Sequence, residues 1–422
     1  MGSAGNGTDT VRGEGWLASL TSAAMTDERR TSPATGTARS LLATGRATGW
    51  VGIRRVAAPV AAGVLLAGCA LFAQPTPNPP PGPSLAPPGT LAYVACAGAV
   101  TPVELATGTP EADIPLHLPG TPTLADYAIA VAPDARTAYV DTSPVVDGAA
   151  RDEVVPVDLL TQRAGAPITI PGTGGTHAIA VSPDGTTVWA ASGDSVVPID
   201  VGTHRVGPPV AVPRAGAVAA LVFDRSGTTL YALGNGEIVP ISVSGRAAGT
   251  AIPTSLTVSS TDAPHGMVLA PDGTTLLVVG QGGSTFGGRI LTVPLPSGPA
   301  TAPASFDVFG NVSSPSAVAV TPDGTLALVA DGPNNWVVPV AVGSTLVPRP
   351  PARMPVQSGA DGGLSTQHPT DLVLGPGGGT AWIVTGFDAL LPMAVPSLTY
   401  GNPVPVCTGA ASVVLAPSPT SG

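Results

Sequence analysis

One phrase returns along most of this chain: an apolar run, a turn built on Pro-Asp-Gly-Thr, then a second apolar run carrying a large side chain. It is clearest where Ala178-Ile179-Ala180-Val181 leads through Pro183-Asp184-Gly185-Thr186 to Val188-Trp189. Close copies centre on Pro133-Asp134, Pro271-Asp272-Gly273 and Pro322-Asp323-Gly324, and degraded copies on Arg225-Ser226-Gly227 and Pro376-Gly377-Gly378. Two apolar strands joined by Asp-Gly signal a β-hairpin, because Gly accepts the left-handed turn position and Asp bonds the turn backbone. Five residues after the Asp-like position stands Tyr139, Trp189, Tyr231, Leu277, Leu328 or Trp382. A second phrase, apolar-apolar-Pro-apolar, follows each hairpin, with its Pro at 102, 156, 198, 240, 294, 339 and 392. The Pro-to-Pro steps are 54, 42, 42, 54, 45 and 53, the length of a four-stranded propeller blade with variable loops.

The count of phrases gives the closure. There are six complete hairpins but seven third-strand phrases, so the first unit lacks its innermost strand and begins at Leu91-Ala92-Tyr93-Val94. The chain supplies the missing piece at its other end, in Ser412-Val413-Val414-Leu415-Ala416-Pro417. The expected fold is therefore all-β: a seven-bladed β-propeller with four-stranded blades over residues 90–418, closed by pairing of its N- and C-terminal strands, which removes exposed sheet edges. The stretch Ala178 to Val201 resembles the repeat of the YVTN-type β-propellers: apolar strand, Ser-Pro-Asp-Gly, aromatic strand, then a strand ending Ile199-Asp200. The resemblance runs from about Thr90 to Pro417. It departs in the Pro of every third strand, and Pro within a strand predicts an edge, a bend or local loss of pairing.

Upstream, residues 1–50 are rich in Gly, Ser, Thr, Ala and Arg without periodicity, and read as disordered or as an extension mis-assigned ahead of the true start. Residues 51–68 read as a signal peptide: Arg54-Arg55, an apolar run from Val56 to Leu66, then Leu66-Ala67-Gly68-Cys69. That ending resembles the lipobox of bacterial lipoproteins, which implies lipidation of Cys69 and anchoring to the outer face of the cytoplasmic membrane. The alternative is an uncleaved anchor, but Val56 to Ala73 is only about 18 residues and contains Pro59, marginal for spanning. Residues 69–89 form a Pro-rich linker whose extended polyproline II geometry reaches on the order of 50 Å over about sixteen residues. Residues 419–422 are a tail. With Cys69 lipidated, Cys96 and Cys407 remain, one at the end of the second strand of the split blade and one just before its innermost strand. A disulfide there would clamp the ring, and export permits it; the alternative is a pair of buried free thiols.

Composition limits the chemistry. Only 10% of residues are charged, the 17 cations are all Arg, and the net charge is −10. Nucleic acid is excluded for want of a basic stripe, and Schiff-base mechanisms for want of a lysine amine. No Cys-x-x-Cys, no Gly-x-Ser-x-Gly elbow and no Gly-rich loop leading into a helix occurs; the Gly-rich Gln281 to Gly288 lies between two strand signals and reads as a hairpin loop. The candidate site is the channel mouth, where innermost strands begin. Six residues before each turn Pro stand Tyr127, His177, Ala219, His265, Ser316 and Thr370, with His368 just upstream. His177, His265 and His368 fall on alternate blades, and three converging imidazoles suit a transition metal, with Asp262, Asp361 or Asp371 as supporting carboxylates. Arg151-Asp152-Glu153 reads as a solvated loop, and His117 and His204 as outer-turn residues. The lactonase branch of propeller enzymes implies a matched His, Arg and Glu set around the channel, and the arginines here miss that register.

The functional expectation is a monomeric, lipid-anchored binding or scaffold module at the cell envelope, presenting its face to an envelope protein, a glycan or a small ligand. A lactonase-like or metal-dependent hydrolase working at the channel mouth is the alternative.

Overall fold

The repeated turn folds as its chemistry dictates. Around Asp184 the Ser182 N–H donates to Thr187 C=O and the Gly185 N–H donates back to Ser182 C=O, both at 2.8 Å. Gly185 takes φ 71°, which costs an L side chain but not Gly. The Asp184 carboxylate accepts the Thr186 N–H at 3.0 Å, and the same Asp cap recurs at Asp134, Asp272 and Asp323. These contacts come from a computed structural model that describes residues 89–123, 127–172, 178–212, 216–258, 265–282, 287–295, 304–305, 313–355, 357–358, 364–365 and 368–418. The extension 1–50, the segment 51–68 read above as a signal peptide, Cys69, the Pro-rich stretch up to residue 88 and the tail 419–422 lie outside the described residues.

Among the described residues, seven antiparallel sheets of four or five strands form seven blades. The innermost strands follow one another in a closed circle. Ser412–Pro417 contacts Tyr127–Val131, and then come Ile179–Val181, Ala220–Phe223, Met267–Leu269, Pro315–Val320 and Pro369–Leu374, the last returning to Ser412–Pro417. The first blade is the split one: Thr90–Cys96 pairs with Ala99–Glu104 on one side and with Ser412–Pro417 on the other, Thr90 opposite Pro417 through Ala95 opposite Ser412. The fold is a seven-bladed β-propeller closed by its two ends.

The core sits between blades rather than within them. Each of the seven equivalent large residues fills one inter-blade space: Tyr93 with Ile129 and Val155, Tyr139 with Ile179 and Val197, Trp189 with Leu221 and Val239, and so on through Tyr231, Leu277, Leu328 and Trp382. All are 2% exposed or less. Burying each of these side chains contributes roughly 1.5–3 kcal/mol, and the periodic spacing is what lets one blade shape repeat round a ring.

The recurrent Pro does not disturb the third strand. Pro102, Pro156, Pro198, Pro240, Pro339 and Pro392 lie in unbroken register opposite Tyr93, Tyr139, Trp189, Tyr231, Leu328 and Trp382. The fifth blade differs, with Pro294 opposite Thr275. In a strand the N–H and C=O of one residue point to the same side. Each of those six Pro carbonyls accepts an N–H from the outer strand, at 2.7–2.8 Å, so the missing donor also faces outward and the inner ladder loses nothing. The cost falls on the fourth strand, which breaks into two short pieces in five blades, such as Arg163–Ala164 and Ile168–Thr169 against Glu153–Asp158. The prolines thus leave the bend and lost pairing to the outermost strand, at the edge of each sheet.

Candidate functional site

The face where innermost strands begin and second strands end gathers the unusual side chains. His265, ahead of the fifth blade's inner strand, is held by its backbone: its carbonyl accepts the Val318 N–H of the sixth blade at 2.9 Å, a parallel bridge to Ala317. Its Nδ1 lies 2.7 Å from Asp371 Oδ1 of the seventh blade. Asp371 is fully buried, and its carboxylate also accepts the Leu372 N–H and, from the first blade, the Val413 N–H, both at 2.8 Å. One carboxylate therefore ties the fifth, seventh and first blades, while a third of the imidazole remains exposed.

Strand irregularity aims these groups. The inner strands of the sixth and seventh blades each shift register once, between Pro315 and Ala317 and between Pro369 and Asp371. The extra residues are Ser316 and Thr370, and a bulge turns the following side chains. Ser316 Oγ donates to Pro369 C=O at 3.2 Å, fastening the two bulged strands together. His368 takes a left-handed φ of 41° and is exposed, its Nδ1 3.0 Å from Gly332 O. Tyr127 is buried in the space between the first and second blades, and Ala219 is buried with the fourth and fifth. His177, Asp262 and Asp361 lie outside the described residues.

Among the described residues no group of three or more His, Cys, Asp and Glu could hold a metal ion. His265 is joined instead to one carboxylate, and His368 to a backbone carbonyl.

The loop at Arg151 is corrected by the structure. Arg151 is exposed, but Asp152 and Glu153 are buried. Asp152 accepts hydroxyl hydrogen bonds from Ser143 at 2.7 Å and from Ser192 of the third blade at 2.8 Å, a second carboxylate tie between blades. Charge density in sequence signalled solvent; two serine hydroxyls make burial tolerable. His117 and His204 are exposed outer-turn residues. Asp331 is buried beneath the Ser313 hydroxyl and Ser314 N–H, and burial raises its carboxyl above the ordinary range despite those bonds and the Asn334 amide.

The His265 imidazole is a pH-linked element. Burial alone would lower it, but the charge and hydrogen bond of Asp371 outweigh burial and raise it above 6.5. A basic group raised on folding stabilises fully below its unfolded value and loses that contribution as pH rises through the folded one. Urea midpoints from pH 5.5 to 9 should therefore fall more steeply above pH 6.5 in the wild type than in His265→Gln. Parallel profiles would contradict the linkage.

Cys96 and Cys407 form a disulfide across the closing blade, Cα–Cα 5.8 Å, 311 residues apart in sequence. Beside it Thr101 Oγ1 accepts the Cys407 N–H at 3.0 Å and donates to Asp113 at 2.6 Å.

The chain matches no protein-family model and no curated protein. Solved structures share its fold. A hydrazine synthase of Kuenenia stuttgartiensis superposes with a TM-score of 0.57 at 19% identity, covering 70% of this chain and 90% of that one. A periplasmic gluconolactonase of Pseudomonas aeruginosa gives 0.56 at 18%, covering 78% and 99%. A protein of Lactobacillus plantarum gives 0.57 at 15%, covering 78% and 100%. At such identities the likeness defines the class, a seven-bladed β-propeller, and nothing of the chemistry. Among the described residues, this chain seals the ring with the Cys96–Cys407 disulfide and sets the His265–Asp371 pair at the channel mouth.

Proposed function

We propose that this chain is an exported, lipid-anchored propeller of the YVTN-repeat kind that binds a partner at the cell envelope through its channel-mouth face. The observation that carries this reading is the Cys96–Cys407 disulfide at the ring closure. Such a bond persists in an oxidising compartment, which agrees with a basic pair, an apolar run and Leu66-Ala67-Gly68-Cys69 ahead of a Pro-rich spacer. Lipidation at Cys69 and the spacer's ~50 Å reach would hold the ring beyond the lipid headgroups. The part after Cys69 carries 23 acidic residues against 10 Arg, which disfavours strongly anionic partners. A closed ring with buried carboxylate ties between blades is a rigid platform, so recognition falls to the turns and side chains on its face.

Acylation is the test. Bacteria producing the full chain and fed an alkyne-tagged palmitate should label it, and Cys69→Ala should abolish the label and release the protein from the membrane fraction. An unlabelled wild type, or label retained in Cys69→Ala, would overturn the anchored reading.

A further inference from the structure

We propose that the rim of the sixth and seventh blades at the channel mouth binds an uncharged saccharide, an inference that rests on the binding-module reading and names its ligand. Phe387, in the turn after Thr380–Thr385, is 36% exposed and is the aromatic residue among the exposed large hydrophobic side chains described. Its neighbour Gly386 donates its N–H to His368 C=O at 3.1 Å, which joins the turn carrying exposed Phe387 to exposed His368 at the same rim. The His368 ring in turn lies against Gly332 of the sixth blade. In that same turn Asn334 is anchored through its amide N–H on Asp331 at 2.8 Å. Deeper on the same face, Asp371 pairs opposite Val384, three residues before Phe387, and fixes His265.

The chemistry fits a polyol better than an ion. With its Nδ1 bound to Asp371, His265 keeps Nε2 as an oriented donor when protonated and as an acceptor when neutral, so it can serve a hydroxyl in either state. The charged pair has no net charge, and the acidic balance of the chain opposes anions. An exposed phenyl ring offers a flat apolar surface for the C–H face of a pyranose, while His265, His368 and Asn334 on the same face would supply hydroxyl partners. Aromatic platform, mixed donors and acceptors, and a preorganised imidazole are the parts such a site needs.

The test uses the full chain in detergent with a panel of neutral tetrasaccharides (cello-, malto- and mannotetraose) and an oligogalacturonide as the charged comparator, read by saturation-transfer NMR and calorimetry. At least one neutral tetrasaccharide should bind with transfer strongest on its ring C–H protons. Phe387→Ala, at an exposed position, should weaken that binding at least tenfold, and His265→Gln by a similar factor. The charged comparator should bind more weakly than the neutral chain. No binding by any neutral member, or binding unchanged in Phe387→Ala, would overturn the saccharide. A photocrosslinking residue at position 387 in cells separates the two readings. Crosslinks to an envelope protein without saccharide binding would sink this inference and keep the binding face, and neither crosslinks nor saccharide binding would sink both.

Discussion

Cys96→Ser/Cys407→Ser is expected to destabilise the ring by about 4–5 kcal/mol, somewhat under the ~5.7 kcal/mol that the chain-entropy model gives for a loop of this length, because residual structure in the unfolded chain offsets part of it. The bond spans 311 residues, so nearly the whole propeller lies inside the covalent loop. Without it the closure depends on the six facing pairs between Thr90–Ala95 and Ser412–Pro417, on the Thr101 bond to Cys407, and on Asp388, which accepts the Gly409 N–H at 2.7 Å. For a domain of roughly 330 residues an unfolding entropy near 0.7 kcal/mol per degree converts that loss to ~6 °C in Tm. The place matters as much as the size. Hydrogen exchange should rise first in 90–96 and 412–417 while the blade opposite the closure, 267–294, keeps its protection. Uniform loss of protection, or an unchanged urea midpoint, would show that the inter-blade packing holds the ring without the bond.

Asp371→Ala is expected to cost about 3–5 kcal/mol, the range for removing one member of a buried ion pair. The carboxylate serves three donors: His265 Nδ1 and the N–H groups of Leu372 and Val413. Its loss leaves two strand N–H groups without an acceptor, each worth roughly 1–3 kcal/mol when buried. The imidazole, a third exposed, escapes part of the penalty by losing its proton. Asp371→Asn separates the contributions, because the amide oxygen still accepts one N–H while the charge is gone. Urea denaturation should rank wild type above Asn above Ala, and in both variants the His265 proton resonances should titrate at lower pH than in the wild type. An alanine variant within 1 kcal/mol of the wild type would mean that the pair does not tie the blades.

The repeat was legible because each blade is a local object. A hairpin turn, an aromatic five residues on and a Pro-marked third strand recur within some fifty residues, and short-range backbone chemistry decides all three. The closure was legible by subtraction, since an unpaired strand at one end and a missing one at the other have a single economical solution. The effect of the prolines was not. Whether a missing N–H harms the inner or the outer ladder depends on strand phase, and only the pairing showed that the outermost strand absorbs it. The acidic stretch at 152–153 misled for a similar reason: its hydroxyl partner Ser192 stands forty residues away on the next blade.

The histidines mark the boundary most clearly. Counting residues back from each turn put His265 at the channel mouth, but the count ran straight through the bulges at Ser316 and Thr370, which hide in sequence because an inserted residue looks like any other. His265 and Asp371 are 106 residues apart and skip a blade, so no local pattern joins them. By itself the sequence determined the blade, the number of repeats and where the ring must be sealed, because those follow from near-neighbour propensity and periodicity. The tertiary structure alone decided which buried carboxylate meets which imidazole, because that contact exists only once seven twisted sheets have curved far enough to bring the fifth blade and the seventh to one axis.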